Sequence, residues 1–353
     1  MTPATFRLTP QNLLSYLLSA RLSDSDDRIT VRELPGGVSN VVLMAEWVDN
    51  PLRRWVVKQS LGKLRVLDDW VSDQERIFRE AVSMSLLRPF LGDDTLPHVV
   101  HVDHANYLYV MTAAPPDSRV WKDSLLEGEC APLVAHSAGR LLSQLLRISQ
   151  SVPLFYELFA DRHVFEQLRV DPYYRQSALR NPDVAKLMDE LTQDSWKIRT
   201  SLVHGDYSPK NMLVRGAKIF LIDFEAVHWG DPAFDAGFLM SHLFLKAFRR
   251  PSLSRIYAEG VQEFWKALRC GMEPKEIPGF EAMTIRHLGG LLLARVDGKS
   301  PVEYIQDERT KNHIREAAKQ ILRDRPPAVA AVVPVVDEHL RELQKLNSKS
   351  VFL

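Results

Sequence analysis

One stretch of the chain concentrates side chains that can act on protons, metals and phosphate groups. It reads His204-Gly205-Asp206-Tyr207-Ser208-Pro209-Lys210-Asn211, and Leu221-Ile222-Asp223-Phe224-Glu225 follows after a short hairpin pattern. Asn211, Asp223 and Glu225 supply hard oxygen ligands, and Mg²⁺ needs few of these because phosphates and water complete its shell. Asp206 lies a few residues upstream, where its carboxylate can orient or deprotonate a hydroxyl group. Phosphoryl transfer needs such a metal for the phosphate charge and such a carboxylate for the nucleophile.

A small antiparallel sheet is predicted ahead of this stretch. Short runs rich in β-branched and aromatic residues occupy 28–34, 41–47 and 55–59, with the turn signal Pro35-Gly36-Gly37-Val38-Ser39-Asn40 between the first two. Apolar residues then recur at helical spacing over 72–91, and a further hairpin follows at 98–102 and 107–112. The pattern indicates a β-rich region that carries one helix.

Beyond a proline-containing stretch the pattern becomes helical. Residues 132–149 are typical of a buried helix, short strands are expected at 211–214 and 218–222, and a last helix is expected at 336–346. The sequence therefore predicts an α+β fold with a smaller N-lobe at 1–112, a hinge at 113–118 and a larger helical C-lobe at 119–353. Such a layout is typical of proteins that bind a ligand in the crevice between lobes.

Composition and charge restrict the partners of the chain. Its 353 residues balance 45 Lys+Arg against 45 Asp+Glu, which argues against broad binding to nucleic acid or to an anionic membrane. The N-terminus lacks the layout of a signal peptide and no apolar run approaches the roughly 20 residues of a bilayer span, so a cytoplasmic location is expected. Cys130 and Cys270 lack metal-ligand spacing, and each is expected to be a buried, reduced thiol. A small-molecule partner and a monomer or homodimer are expected.

These pieces resemble the aminoglycoside phosphotransferase and choline kinase superfamily, which is related to the protein kinases. The matching motifs are His204-Gly205-Asp206 with Asn211, then Asp223-Phe224-Glu225, then Asp231-Pro232-Ala233-Phe234-Asp235. The resemblance runs from about Val31 to Arg323 and implies a protein-kinase-like two-lobed fold, with ATP as co-substrate and Mg²⁺ as cofactor. It implies that Asp206 is the catalytic base and that Asn211 and Asp223 are Mg²⁺ ligands.

Three further residues of these motifs have expected roles. Glu225 stands where protein kinases have glycine, and two interpretations stay open for it: a second metal ligand or a solvated loop carboxylate. His204 is expected to anchor the loop rather than to transfer protons. Asp235 is expected to hydrogen-bond the catalytic-loop backbone from the start of a helix, where negative charge is favourable.

The turn between the first two predicted strands is the first candidate for nucleotide binding. Gly36 and Gly37 let the backbone approach phosphates closely, and Ser39 and Asn40 add hydrogen-bond donors. Two glycines between strands also form ordinary hairpin turns. The position of this pair ahead of a strand lysine favours the phosphate-binding interpretation.

The resemblance implies the remaining nucleotide contacts. Lys58, on the third strand, would contact the α- and β-phosphates. Its carboxylate partner is expected on the following helix, where Glu80 shares the apolar stripe and Glu75 is the second choice. The backbone around Met111 and Ala113 would meet the adenine.

The sequence indicates the phosphate acceptor less closely than it indicates the reaction. Features similar to methylthioribose kinase are Val57-Lys58-Gln59 followed by Arg65-Val66, Trp121-Lys122 before Leu125-Leu126-Glu127-Gly128, and Phe165-Glu166 leading to Asp171-Pro172-Tyr173. The catalytic loop is nearer the general aminoglycoside phosphotransferase pattern. Trp229, Tyr173, His228 and Arg295 are candidate acceptor-binding residues, a mixture that suits a neutral polyol or an anionic acceptor. Core packing of the aromatic residues and internal pairing of Arg295 are the alternative interpretations.

The predicted function is ATP-dependent transfer of the γ-phosphate to a hydroxyl group of a small molecule, such as a sugar, thiosugar, amino alcohol or antibiotic. A nucleotide-binding pseudokinase or regulatory scaffold is the alternative. The complete set of Asp206, Asn211 and Asp223 disfavours it, because a scaffold needs no transfer chemistry. A protein kinase is disfavoured since the connection at 227–232 leaves little room for a long activation segment.

Overall fold

The chain forms two compact units. A computed structural model describes residues 6–34, 39–64 and 71–350, with side chains up to Lys345. The first unit extends to Ser118 and also includes Phe220–Glu225. The second unit comprises Arg119–Ile219 and Ala226–Leu353. The first unit is therefore built from two separate parts of the sequence.

An antiparallel sheet is the body of the first unit. Its described strands are β1 (Ile29–Glu33), β2 (Asn40–Trp47), β3 (Asn50–Ser60), β4 (Val99–Asp103) and β5 (Leu108–Thr112), in the order β1-β2-β3-β5-β4. In the register of β2 with β3, Val42 lies opposite Lys58 and Leu43 opposite Val57. β3 begins earlier than the pattern predicted, because its polar first residues still pair with β2.

Two helices pack on this sheet, α1 (Leu13–Ser19) and α2 (Arg76–Leu91). Leu13 and Leu17 of α1 join a buried cluster with Val41 and Leu43 of β2. The sequence pattern did not predict α1, since seven residues are too few to establish a helical period. α2 begins later than the predicted residue 72, and it carries Glu80 on its buried face.

Beyond Ser118 the chain is mainly helical. The strands of this part are β6 (Arg119–Val120), β7 (Ser201–Val203), β8 (Met212–Arg215), β9 (Lys218–Leu221) and β10 (His228–Gly230). The helices are α3 (Trp121–Glu127), α4 (Pro132–Ser151), α5 (Leu154–Phe159), α6 (His163–Phe165), α7 (Gln176–Arg180), α8 (Ala185–Lys197), α9 (Ala233–Arg249), α10 (Ser254–Arg269), α11 (Ile277–Asp297), α12 (Glu308–Asp324) and α13 (Val329–Ser350). β7 pairs with β10 and β6 with β8, both antiparallel. A β-rich first unit and a helical second unit confirm the predicted α+β class.

The core of the second unit surrounds α9, which is buried from Ala233 to Phe248 and packs on both α10 and α11. α4 lies directly against α10. A Cβ atom on Gly139 of α4 would lie 2.2 Å from the Phe264 carbonyl oxygen, so glycine is what allows this close approach.

A π-helix at Glu166–Arg175 separates α6 from α7. It contains Pro172, which lacks the N–H needed for a regular helix. Single π turns inside helices occur often at functional sites. This one places Arg169, Tyr173 and Tyr174 on the buried side of the second unit.

Two expectations about the second unit are wrong. The last helix starts at Val329 rather than 336 and contains Pro334; the break before it is a left-handed residue, Arg325, with φ +47°. Cys130 is buried as expected, but Cys270 is exposed because it follows the end of α10. No helix in the described part of the chain is both long and apolar enough to cross a membrane.

Candidate active site

Asp206 lies on the loop after β7, within the second unit, and only 2% of it is exposed. Two cations reach its Oδ2 atom: Arg169 Nη2 at 3.0 Å and Lys210 Nζ at 2.8 Å. Ser208 Oγ donates to Oδ1 at 3.3 Å. Donors from the π-helix and from its own loop therefore hold this carboxylate in one orientation.

The charge state of Asp206 follows from these contacts. Burial alone would raise the pKa of the carboxyl group, because a buried carboxylate loses its hydration. The positive charges of Lys210 and Arg169 outweigh burial and hold the pKa of Asp206 well below its ordinary value. Asp206 is therefore an anion at neutral pH and accepts hydrogen bonds.

The backbone of this loop is fixed by Asp235, which lies in the first turn of α9. Its two carboxylate oxygens accept from the His204 backbone N–H at 2.6 Å and from the Gly205 N–H at 2.9 Å. The His204 ring accepts from the Asp206 N–H through Nδ1 at 3.2 Å. The bonds to Asp235 are those predicted from the sequence, and the contact of His204 agrees with the loop-anchoring role expected for it.

Gly205 has a backbone conformation that other residues rarely adopt, with φ +76°. A Cβ atom at this position would also lie 2.6 Å from the Ala226 carbonyl oxygen. Both the dihedral angle and the contact require glycine here. The loop can therefore present Asp206 only with glycine before it.

Asn211 ends the 3₁₀ turn Pro209–Asn211, five residues after Asp206. Its side-chain amide nitrogen donates to the Asp206 backbone oxygen at 2.9 Å. Asn211 belongs to the second unit, whereas Asp223, the other predicted metal ligand, belongs to the first.

Within the first unit, Lys58 of β3 lies between two carboxylates. Its Nζ atom is 2.8 Å from Glu80 Oε2 and 2.5 Å from Asp223 Oδ1. The predicted pairing with Glu80 is present, and Glu75 is exposed at the start of α2. Burial alone would lower the pKa of Lys58, but the Asp223 and Glu80 charges outweigh it and raise that pKa. Lys58 is therefore a buried cation with Asp223 beside it. The backbone of Asp223 is in the left-handed region, with φ +72°.

Glu225 is buried rather than solvated, with 6% of it exposed. Within the first unit it accepts from Ser39 Oγ at 2.9 Å and from Asn40 Nδ2 at 2.8 Å. Arg76, which is fully buried on α2, donates to Glu225 at 3.3 Å and to the Ser39 carbonyl oxygen at 2.6 Å. Glu225 thus fixes Ser39 and Asn40, the first described residues after the predicted glycine turn.

The other predicted nucleotide-binding residues have different surroundings. Gly36 and Gly37 lie outside the described residues, as do Arg65 and Val66. Met111 is buried in β5, where it pairs with Val56. The Ala113 N–H donates to the Arg54 carbonyl oxygen at 2.9 Å, so an adenine contact at Ala113 would involve its carbonyl oxygen.

Two of the four candidate acceptor-binding residues contact each other. Arg295 Nη1 donates to the Tyr173 hydroxyl at 3.1 Å and to the Ser300 carbonyl oxygen at 2.5 Å. The guanidinium groups of Arg169 and Arg295 lie 5.4 Å and 5.6 Å from the centre of the Tyr173 ring. Tyr173 therefore links Arg295 to the cation that holds Asp206.

The other two candidates, His228 and Trp229, are buried on β10. The His228 ring stacks on Phe165 at 3.9 Å, and Trp229 Nε1 donates to the Arg199 carbonyl oxygen at 2.9 Å. These contacts are typical of core packing, the alternative interpretation that the sequence left open.

A buried basic cluster accompanies Arg295. Lys246 of α9 is 1% exposed, and its Nζ atom contacts the Tyr304 hydroxyl at 3.0 Å and His242 Nδ1 at 3.4 Å. Within the part of the chain that the structure describes, no carboxylate lies within ion-pair distance of Lys246 or Arg295. Burial, followed by the charges of Lys122 and Arg295, lowers the pKa of Lys246 well below its ordinary value. This region disfavours additional positive charge.

Sequence reasoning missed Arg169, Lys210, Arg76 and Lys246 as site residues. Lys210 stood inside the recognised motif and could have been found there. Arg76 and Lys246 interrupt the apolar faces of α2 and α9, which is a usable signal because an unpaired buried charge is costly. Arg169 lies on a π-helix, which has no sequence period to reveal its orientation.

The antiparallel sheet with its buried Lys–Glu pair and the helical unit with its fixed loop define a protein-kinase-like fold. The chain is similar to the solved structure of the amicoumacin kinase hAmiN in complex with AMP-PNP, Ca²⁺ and Ami, with TM-score 0.53 and 15% identity over 90% of this chain and 94% of that chain. It is also similar to an ethanolamine kinase of Plasmodium vivax, with TM-score 0.51 and 11% identity over 93% of this chain and 86% of that one. The predicted kinase-like fold is confirmed.

The model of the phosphotransferase enzyme family, APH, matches residues 30–269, and the chain belongs to this family. Methylthioribose kinase 2 of Oryza sativa subsp. japonica is 26% identical over 274 residues, 68% of this chain and 63% of that protein. A methylthioribose kinase of Escherichia coli is 26% identical over 280 residues, 69% of this chain and 65% of that protein. The chain thus spans somewhat less than two thirds of the length of these relatives.

Proposed function

We propose that this protein is a small-molecule kinase that transfers the γ-phosphate of ATP to a hydroxyl group of its acceptor, with Asp206 as the catalytic base. The observation that best supports this proposal is the buried, ionised carboxylate of Asp206 on a loop fixed by Asp235. Membership of the phosphotransferase family supports the reaction class.

In the proposed step the acceptor hydroxyl oxygen forms a bond to the γ-phosphorus while the bond from that phosphorus to the β,γ-bridging oxygen breaks, leaving ADP. The hydroxyl proton passes to Asp206 Oδ2 or Oδ1. Because Lys210 and Arg169 hold the pKa of Asp206 low, its main contribution is to orient the hydroxyl rather than to remove the proton early. Lys210, 48% exposed, would be able to turn from Asp206 toward the transferred phosphoryl group.

The first unit would hold the nucleotide phosphates through Lys58, in the same way that a lysine paired with a helix glutamate acts in protein kinases. Asp223 of the first unit and Asn211 of the second unit each offer an oxygen atom of the kind that Mg²⁺ prefers. When bound, the metal would neutralise charge on the phosphate oxygens. Glu225 is assigned to the support of Ser39 and Asn40, because its oxygens already accept from those residues and from Arg76.

The basic cluster restricts the acceptor. Aminoglycosides are polycations, and among the described residues no carboxylate lies within ion-pair distance of Arg295 or Lys246, so this region offers ammonium groups no counter-charge. We therefore favour an uncharged polyol or an anionic acceptor. Methylthioribose, the acceptor named for the rice and Escherichia coli relatives, is an uncharged candidate.

The test is Mg²⁺-dependent consumption of ATP by the purified full chain across thiosugars, other polyols, sugar acids, amino alcohols, aminoglycosides and macrolides. Asp206→Asn should lower turnover on any active acceptor by about 10²–10⁴-fold, the usual contribution of a general base. Asp189→Asn, an exposed carboxylate of α8, is the matched control and should leave turnover unchanged.

Two outcomes would count against the proposal. Full turnover by Asp206→Asn would remove Asp206 from the reaction. Tight binding of Mg·ATP without turnover on any class of acceptor would favour the alternative, a nucleotide-binding scaffold.

A further inference from the structure

Three potential metal ligands meet where α12 packs against α13 in the second unit. His313 comes from α12, and His339 and Glu342 come from one face of α13, spaced i and i+3. One ligand atom from each side chain can be chosen so that all three lie within 4.8 Å of one another. None of these residues belongs to the proposed phosphotransfer site.

The geometry is close to that of a bound ion. His313 Nδ1 lies 3.9 Å from Glu342 Oε2, and the two imidazole rings have centroids 6.0 Å apart. Metal–ligand bonds of 2.0–2.1 Å in a tetrahedral site place neighbouring ligand atoms about 3.4 Å apart. Modest side-chain rotations would bring the three ligands to that spacing. A cavity of about 450 Å³ adjoins them, lined also by Arg309, Asn312 and Glu316.

Gln320 of α12 fixes the orientation and tautomer of His339. The His339 Nε2 atom lies 3.1 Å from Gln320 Oε1. An amide oxygen only accepts, so Nε2 carries the hydrogen and donates it, which leaves the lone pair on Nδ1. Histidines that bind metals usually have their second ring nitrogen held by such an oxygen.

His339 Nδ1 is itself buried and has no hydrogen-bond partner among the residues that the structure describes. A buried acceptor without a partner is costly, and most such atoms are satisfied in folded proteins. A cation bound between His339, His313 and Glu342 would satisfy this lone pair.

We propose that His313, His339 and Glu342 form a binding site for a divalent transition metal of the zinc class, with Gln320 as the residue that positions His339. Two imidazoles and one carboxylate are typical ligands of Zn²⁺, Co²⁺ and Ni²⁺, whereas Mg²⁺ and Ca²⁺ prefer oxygen atoms alone. The ion would join α12 to α13. It would act independently of the phosphotransfer reaction.

The experiment uses the full chain after removal of metals with a chelator, in buffer with excess Mg²⁺ to occupy oxygen-only sites. Zn²⁺ is titrated calorimetrically, and Co²⁺ is titrated by its visible absorption, which reports nitrogen ligands and coordination geometry. One equivalent should bind, and the melting temperature should rise with Zn²⁺ concentration.

Variants separate this site from adventitious binding. His339→Ala should abolish the Co²⁺ absorption band, and Gln320→Ala should weaken Zn²⁺ binding by about 10–100-fold, as expected for a residue that orients a ligand. Glu342→Gln, at an exposed position, serves if His339→Ala does not fold. His136→Ala is the control, because His136 lies 3.5 Å from a single carboxylate, Glu263.

Absence of stoichiometric Zn²⁺ binding by the unmodified chain would overturn the proposal. Binding that survives in His339→Ala, Gln320→Ala and Glu342→Gln alike would also overturn it, since the ion would then be adventitious or located elsewhere.

Discussion

Lys210, half of which is in solvent, neutralises the almost fully buried Asp206 four residues before it, with Nζ 2.8 Å from Oδ2. The same oxygen is held from the inside by Arg169 at 3.0 Å. The candidate base therefore has one partner that is open to solvent and one that is buried. The two cations should have different consequences when they are removed.

Lys210→Met should raise the pKa of Asp206 toward its ordinary value, because one of the two charges that depress it is lost. A depressed carboxyl pKa contributes stability that is present above the unfolded-state pKa of about 4 and is lost as pH falls through the folded-state pKa. The variant should lose part of this contribution, roughly 1 kcal/mol, since Lys210 is exposed and screened. Urea unfolding of the unmodified chain and the variant at pH 7, where this contribution is complete, and at about pH 3, below the unfolded-state pKa, measures it. Lys197→Met is the control and should lose less, because its pair with Asp194 is exposed and Asp194 keeps Arg286 at 2.9 Å.

Arg169→Met should be far more damaging. It leaves Asp206 with only a solvent-exposed cation and removes the donor to the Gly205 carbonyl oxygen, a bond of 2.6 Å. Breaking one side of a buried ion pair costs about 3–5 kcal/mol. The free energy of unfolding in urea is measured for Arg169→Met and for the control Arg175→Met. Arg175 lies on the same π-helix, and its ion pair with Glu166 is on the surface. Equal stabilities for the two variants would contradict the assigned role of Arg169.

Gly205→Ala should destabilise the fold and abolish turnover, because it combines an unfavourable φ with a contact of 2.6 Å to the Ala226 carbonyl oxygen. Gly216 is the control for the backbone effect alone, because it has φ +60° but nothing lies within 4 Å of an added Cβ atom. Gly216→Ala should cost about 1–2 kcal/mol, the left-handed backbone penalty alone. If both variants lost the same stability by urea unfolding, close packing of Gly205 would have no role.

Glu225→Gln distinguishes a support role from a metal-ligand role. The amide keeps an oxygen acceptor for Ser39 but loses the charge that faces buried Arg76, so we expect a loss of about 1–3 kcal/mol. The Mg²⁺ concentration for half-maximal activity should be unchanged in Glu225→Gln. In Asp223→Asn, the comparison variant, this Mg²⁺ concentration should increase. A higher Mg²⁺ requirement in Glu225→Gln would assign Glu225 to the metal.

The two cysteines should react at very different rates with a thiol reagent at pH 8. Burial raises the pKa of Cys130 to about 12, so its reactive thiolate is scarce, whereas Cys270 is exposed. One thiol should titrate in the native protein and two after denaturation. Cys270→Ser should remove the fast phase; fast reaction in that variant would show that Cys130 is accessible.

Local patterns predicted much of this structure, and tertiary contacts account for what they missed. The Lys58–Glu80 pair was predictable because the family resemblance implied a helix glutamate as the partner of Lys58 and Glu80 shares the apolar stripe of its helix. The hydrogen bonds that Asp235 accepts from the loop were expected from the same resemblance. The presence of most strands and helices was predicted correctly, but their boundaries were not. Both β3 and α13 begin several residues before the positions predicted from the sequence.

The environment of Glu225 could not be predicted from spacing. Its partners Ser39 and Asn40 lie 186 and 185 positions away in sequence, and only the completed fold brings them together. Arg169 presents the same difficulty on the irregular π-helix. Burial of Glu225, which disagrees with one of the two interpretations left open, a solvated loop carboxylate, results from this long-range pairing.

The first unit is formed by two segments that are far apart in the sequence, and this has a consequence for biosynthesis. When residues up to Ser118 have emerged from the ribosome, all five described strands of the sheet are present. The partners Asp223 and Glu225 of Lys58, Arg76, Ser39 and Asn40 have not yet been synthesised. The sheet unit can acquire its complete set of ion pairs only after most of the second unit's early helices have emerged. In a fragment truncated at Ser118, Lys58 would keep Glu80 but lose Asp223, and buried Arg76 would lose Glu225. Recombinant dissection of this protein must therefore keep both segments together.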